Sequence, residues 1–523
     1  MSSSIDLTRR QLIKNGGQLG VLAAAVQVTP SWALSAQNGV NSPDQLLKLS
    51  AVDLSQIIKN KQVSCFEVMN SYLAQIDTYN PTYNAVVSLR DRNILLQEAH
   101  KADQELAKGH YRGWMHGMPH AVKDLAATAG IATTMGSPIL KNWVPKHDAI
   151  FVERIRNAGA ILIGKTNTPE FGLGSQTYNN VFGVTRNAYN HELCAGGSSG
   201  GAAVAVATGM VPVADGSDMM GSLRNPAAYN NIIGFRPTQG RVPFGPTSEV
   251  FFQQLGYEGP MGRTVQDTAM LLSTMAGYDS RTPLSLPSNT QVFSQNLDVD
   301  TKGIKVAWLG DFNGYLSMEP GVLSTCEQAL KHFEVLGGHV ETVNMQHPME
   351  EVWQAWLTLR HFLIAGGVND LYKKQANRSL MKPEAIWEIE GGLELSGMDV
   401  FEASKARSRW YQALDALFDR FDVVALPSAQ VFPFSANTHW PKEINGRQMD
   451  TYHRWMEVVV PGTLSGCPVA NVPAGFDPQG RPMGIQLIGR HQQDLKVLQI
   501  AKAYEQVCGY LQHKPELSRI KGK

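Results

Sequence analysis

From Ala195 to Pro226 the chain reads AGGSSGGAAVAVATGMVPVADGSDMMGSLRNP, two glycine-and-serine clusters around an apolar, alanine-rich run at Ala202–Ala207. The first cluster is Gly196-Gly197-Ser198-Ser199-Gly200-Gly201, and the second is Gly216-Ser217-Asp218-Met219-Met220-Gly221-Ser222. Glycines at such places let the backbone turn tightly and approach other atoms closely. Serines in the turns can aim hydroxyls and backbone N–H groups at one point, which is what acyl transfer to a serine requires. The fold must accommodate both turns.

The remainder bounds the class of protein. The 523 residues are 43% hydrophobic and 18% charged, a composition that supports a large globular core. Lys+Arg and Asp+Glu are each 46, so the formal net charge of zero points to no nucleic-acid partner. Cys65, Cys194, Cys326, Cys467 and Cys508 are odd in number and form no C-x-x-C pair, which predicts buried free thiols rather than disulfides or a zinc site. No metal and no cofactor is indicated. Residues 1–36 read as a cleaved twin-arginine export signal, with Arg9-Arg10 ahead of a weakly apolar stretch, Leu19 to Val28, and small residues up to Ala36. That stretch is too short and interrupted for a stable membrane span. The expectation is therefore export by the twin-arginine translocation machinery to the periplasm or the extracellular space.

Residues 37–523 are expected to form one domain. Helical spacing covers 46–78, with Ser64 capping a helix from about Phe66 to Ile76 that ends before Asn80-Pro81, and it recurs over 90–108 and 148–158. Strands are predicted at Met118–Asp124, Gly159–Gly164, Ile304–Leu309, His339–Val343, Val423–Leu426 and Met483–Ile488. Helices between them, such as Gly321–Leu336 and Leu495–Val507, argue for an α/β fold with a mixed, mostly parallel twisted sheet covered by helices. Residues 345–450 are poor in strand signals and read as a mostly helical insertion over the site.

Several motifs dissolve on inspection. Gly159-Ala160-Ile161-Leu162-Ile163-Gly164-Lys165-Thr166 fits the phosphate-loop pattern, but its variable positions are themselves the strand and Pro169 opposes a following helix. Ser379-Leu380-Met381-Lys382 fits a penicilloyl-transfer pattern, but Pro383 stops the helix it needs. His116 and His120 have a helical ligand spacing, but Gly117 and Pro119 break the helix, so both read as structural. Gly196-Gly197-Ser198-Ser199-Gly200 fits a nucleophile elbow on Ser198, with His491 a weak candidate base. Lys123, at the end of an apolar strand, reads in two ways. It is either paired with Asp124 or a desolvated neutral amine able to act as a base.

These residues resemble the amidase signature hydrolases, which use a Ser–cis-Ser–Lys triad. The blocks occur in order: His116-Gly117-Met118-Pro119, Ala121-Val122-Lys123-Asp124, the two clusters, Gly234-Phe235-Arg236-Pro237-Thr238, Gly466-Cys467-Pro468 and Gly484-Ile485-Gln486-Leu487. The resemblance spans nearly the whole chain after the signal. It implies Ser222 as nucleophile, Ser198 as the cis-serine relay and Lys123 as base. It further implies an oxyanion hole from the N–H groups of Met219, Met220, Gly221 and Ser222, with Ser199, Asp218 and Arg224 supporting the site. The implied activity is hydrolysis of a linear or cyclic amide, a small molecule, to a carboxylate and ammonia or an amine. Alternatives are the A-type (glutaminase) component of a tRNA-dependent amidotransferase, against which the export signal argues, and a non-catalytic binding protein. Three positions depart from the family: Met220 replaces a glycine, Ala195 a proline, and His120 an apolar residue. Met220 bears on pocket shape. Tryptophans 353, 356, 410, 440 and 455 are either core or pocket lining. A homodimer is the common expectation for the family.

Overall fold

The computed structural model describes residues 42–518. The twin-arginine segment lies outside the described residues. Eleven strands carry the architecture: β1 (Val86–Val87), β2 (Pro119–Lys123), β3 (Ile161–Thr166), β4 (Val213–Asp218), β5 (Ile233–Arg236), β6 (Tyr257–Gly262), β7 (Lys305–Trp308), β8 (His339–Thr342), β9 (Val423–Pro427), β10 (Val469–Phe476) and β11 (Pro482–Gly489). Eight form the main sheet in the order β8-β7-β9-β11-β10-β5-β6-β4, flanked by helices, and β1-β3-β2 form a small sheet. Strand β2 packs against β4, so the small sheet abuts the end of the large one.

The fold is α/β with a mixed sheet, as expected, but the balance of directions is corrected. In the main sheet only β8/β7 and β7/β9 pair in parallel, while the other five neighbouring pairs are antiparallel; in the small sheet β2/β3 is parallel and β1/β3 antiparallel. A parallel neighbour needs a long crossover, which the helix Val322–Val335 supplies between β7 and β8. Antiparallel neighbours need only a turn. Strands β10 and β11 are joined by such a turn, closed by Asp477 N–H donating to Arg481 O at 3.0 Å. The helix capped by Ser64 also runs further than expected, from Cys65 to Tyr83 through Pro81. Pro81 falls in the last turn, where it removes one helix N–H donor and only two residues of the helix follow it. Beyond it, Asn80 Oδ1 accepts from the N–H groups of Ala85 and Val86, which lie past the helix end.

Between β8 and β9 the chain forms the helices Met349–Tyr372, Gln375–Arg378, Pro383–Leu393 and Gly397–Asp415. Trp353, Trp356, Trp410 and Trp455 are all fully buried. All five cysteines are unpaired, four buried and Cys508 half-buried. Among the described residues no helix is long and apolar enough to cross a membrane.

Candidate active site

Lys123 ends β2 with its side chain inside the protein, 1% exposed. Its Nζ donates to Ser198 Oγ at 2.8 Å, Ser199 Oγ at 2.8 Å and Ser217 Oγ at 2.9 Å. Its backbone N–H donates to Asp215 Oδ2 on β4 at 3.1 Å, which ties the end of β2 to the main sheet. The pairing with Asp124 does not form. Asp124 instead accepts from Thr134 Oγ1 at 2.5 Å and from the Thr134 N–H at 3.0 Å. Among the described residues no carboxylate lies within ion-pair distance of the Lys123 amine. Burial therefore dominates and holds its pKa below the ordinary lysine range.

The two clusters reach this amine by different routes. The first enters the helix Gly200–Ala207 with Ser199 at its cap, and the Gly197–Ser198 peptide is cis. The second leaves β4 at Asp218 and turns into the helix Arg224–Tyr229. The turn is clamped by one carboxylate. Asp218 Oδ1 accepts from Gly221 N–H at 2.9 Å and Arg224 Nη2 at 2.9 Å, and Oδ2 accepts from Leu223 N–H at 3.1 Å and Arg224 Nε at 3.0 Å. Arg224 also donates to Val459 O and Gln486 Oε1, which ties the turn to β11. The guanidiniums of Arg224 and Arg236 hold the Asp218 carboxyl well below the usual carboxylate range, against the cost of its burial. Removing one member of such a buried pair typically costs about 3–5 kcal/mol.

The clamp narrows the expected oxyanion hole. The Gly221 N–H is spent on Asp218, so it is not free to bind a ligand oxygen. The N–H groups of Met219, Met220 and Ser222 meet no acceptor among the described residues. Gly221 has a conformational task instead. Its φ is +75°, and a Cβ there would lie 2.8 Å from a Val459 methyl. Met220 is not among the positive-φ residues, so the departure from glycine at that position is accommodated without strain.

Ser198, Ser217 and Ser222 open on one cavity of about 260 Å³. Its wall is mainly apolar, with Leu125, Phe171, Met219, Met220, Leu363 and Ile364 contributing. No tryptophan among the described residues lines it; Trp353, Trp356, Trp410 and Trp455 are core, while Trp440 is half-buried and lines a separate cavity. The helix Met349–Tyr372 borders this cavity and supplies Arg360, Leu363, Ile364, Gly367 and Val368. Arg360 is tied down by Glu388 at 2.5 Å and Tyr452 Oη at 2.8 Å. That cluster had no signal in the sequence, since its members come from three separate segments.

No histidine hydrogen-bonds Ser198 among the described residues, and His491 packs edge-on against Tyr411. His116 and His120 bind different partners, Ala102 O and Asp215 Oδ1, each at 2.9 Å. Lys165 of the false phosphate loop lies in β3 and donates to Ala126 O at 2.6 Å and Thr128 Oγ1 at 2.7 Å. Ser379 bonds Ala376 O, while Lys382 precedes a new helix at Pro383 and donates to Leu173 O.

Comparison with known proteins agrees with this geometry. The chain matches the Amidase family model over residues 67–498. It is 32% identical over 478 residues to an acylamidase of Rhodococcus erythropolis, covering 90% of this chain and 98% of that protein. It is 33% identical over 492 residues to the A-type component of the glutamyl-tRNA(Gln) amidotransferase of Geobacillus kaustophilus, covering 90% and 99%. The fold matches a crystal structure of a bacterial aryl acylamidase with a TM-score of 0.83 at 30% identity, covering 89% and 97%. With a buried lysine joined to two serine clusters and a family match over most of its length, the chain belongs to the amidase signature family.

Proposed function

We propose that the protein hydrolyses a carboxylic amide through an acyl-enzyme on Ser222, releasing ammonia or an amine. The observation that carries this is the Lys123 amine held 2.8 Å from Ser198 Oγ, with Ser198 and Ser222 on one cavity. A serine hydroxyl needs an adjacent base at neutral pH. Neutral Lys123 takes the Ser198 proton as Ser198 takes that of Ser222, whose oxygen attacks the amide carbonyl. The developing oxyanion faces the N–H groups of Met219, Met220 and Ser222; in other enzymes one such donor is worth about 3 kcal/mol. The proton returns through Ser198 to the leaving nitrogen, and water repeats the cycle on the ester.

The apolar wall supports an apolar acyl or aryl group on a simple amide. The test is turnover by the purified protein against a graded panel of alkyl, aryl, peptide and cyclic amides, with Ser222→Ala as blank. Similarity to the A-type component of an amidotransferase favours one further reading, glutamine as ammonia source, so the panel includes L-glutamine. Glutamine as the best substrate by a wide margin would replace the first reading with the second.

Two expectations follow for the active enzyme. Lys123 serves only as the free amine, so kcat/KM is low where the ammonium persists and climbs as pH rises through its depressed pKa. The inflection is expected below the ordinary lysine value of about 10.4. A profile flat from acid to alkaline pH would remove Lys123 from the proton path. Met220 is 4% exposed and lines the cavity. Met220→Ala should widen it and raise kcat/KM for bulkier amides relative to small ones by about tenfold, the scale of one or two methylenes in a pocket. An unchanged ratio would show that Met220 does not set substrate size.

A further inference from the structure

Three carboxyls, those of Glu258, Asp218 and Asp215, act on the Lys123 amine through their charge, and two of them are committed. Asp218 is saturated by Arg224 and by the N–H groups of Gly221 and Leu223, with Arg236 beside it. Asp215 is shared between His120 Nε2, 2.9 Å away, and the Lys123 N–H, 3.1 Å away. The third is Glu258 on β6, 7% exposed and lining the cavity of Ser198 and Ser222. No group among the described residues hydrogen-bonds its carboxyl. Its place follows from the strand register, because Glu258 stands directly opposite Ser217. Directly opposed residues send their side chains to the same face of a sheet. Ser217 Oγ lies on the Lys123 amine, so Glu258 emerges on the amine's side of the sheet, although beyond ion-pair distance of it.

The remaining charged groups nearby are already engaged. Lys165 on β3 is fixed on Ala126 O and Thr128 Oγ1 and faces Asp124. His120 on β2 is held by Asp215. Arg360 and His453, which also border the cavity, associate with Glu388. An unpartnered carboxyl that is almost fully buried is costly in its charged form. Its field on a neighbouring amine is also poorly screened there.

We propose that Glu258 is a positioning residue that sets the pH at which Lys123 becomes a free amine, acting through the field of its carboxyl rather than by contact. An ionised Glu258 holds the proton on Lys123, and a protonated Glu258 lets it go. Burial pushes the carboxyl up and the amine down, so each moves toward its neutral form. The inference rests on Lys123 being the base.

The test is the pH profile of kcat/KM for Glu258→Gln beside the wild type. Without the carboxylate, Lys123 gives up its proton more readily, and the acid limb should move down by about one pH unit. The gain should be confined to the pH range in which the wild-type carboxyl is ionised, and at lower pH, where Glu258 and its glutamine replacement are both neutral, the two profiles should coincide, a pattern that a merely structural residue does not produce. Glu258→Asp, which keeps the charge, should hold the limb near its wild-type position. If the glutamine variant does not fold, Glu258→Leu must give the same downward shift. An unmoved limb in a folded variant that still labels on Ser222 overturns the proposal. Undiminished activity in Lys123→Ala would instead overturn the base assignment itself, so the two failures are separable.

Discussion

Ser222→Ala should abolish amide turnover and remove fluorophosphonate labelling, while thermal unfolding stays within about 0.5 kcal/mol of wild type. The chemical loss is expected to be complete because the acyl-enzyme ester has no other oxygen on which to form. The stability should be kept for a different reason. The Ser222 hydroxyl holds no hydrogen bond to a described residue, whereas the turn around it is fixed by Asp218 and Arg224. The informative failure is labelling that survives and maps to Ser198. In that case the first cluster attacks, and the direction of proton transfer between the serines is reversed.

Lys123→Ala should lower kcat by about 10²–10⁴, the range expected for a lost general base. The same variant leaves Ser198, Ser199 and Ser217 hydroxyls without their shared donor. Lys123→Arg separates the two effects. It restores a donor, but guanidinium stays charged at working pH and takes no proton. It should therefore remain as inactive as the alanine variant in steady-state assays. Recovery of substantial activity by arginine would mean that a fixed positive charge, rather than a base, is what the site needs.

Much of this site was legible in the sequence because its members sit in short runs of unusual composition. Lys123 stood out as a charge closing an apolar strand, and Ser198 and Ser222 as hydroxyls in glycine-rich turns. Strands β7, β8, β9 and β11 were also readable, since apolar residues dominate most of them and the helix Val322–Val335 separates β7 from β8. Strand β4, Val-Ala-Asp-Gly-Ser-Asp, was not readable, because it has few strand-forming residues and is held by pairing with β6 along its whole length. Strand β10 was hidden by Pro473, where the register with β11 becomes irregular. Missing β4 and β6 hid what depends on their register, namely Ser217 on the amine and Glu258 opposite it. The use of the Gly221 N–H was hidden for a similar reason. Four backbone donors in a row look equivalent until the carboxylate that captures one of them is located.

The helix Met349–Tyr372 places five residues on the cavity wall, yet none of Lys123, Ser198 or Ser222 belongs to it. Part of the shape-giving wall is thus written on a stretch of the gene apart from the proposed catalytic groups, although Met219, Met220 and Leu125 stay beside them. A lineage can recombine or mutate one stretch to acquire a new diet while inheriting its chemistry unaltered. The same division makes this helix a self-contained target for directed libraries, in which every surviving clone still reports on one unchanged nucleophile.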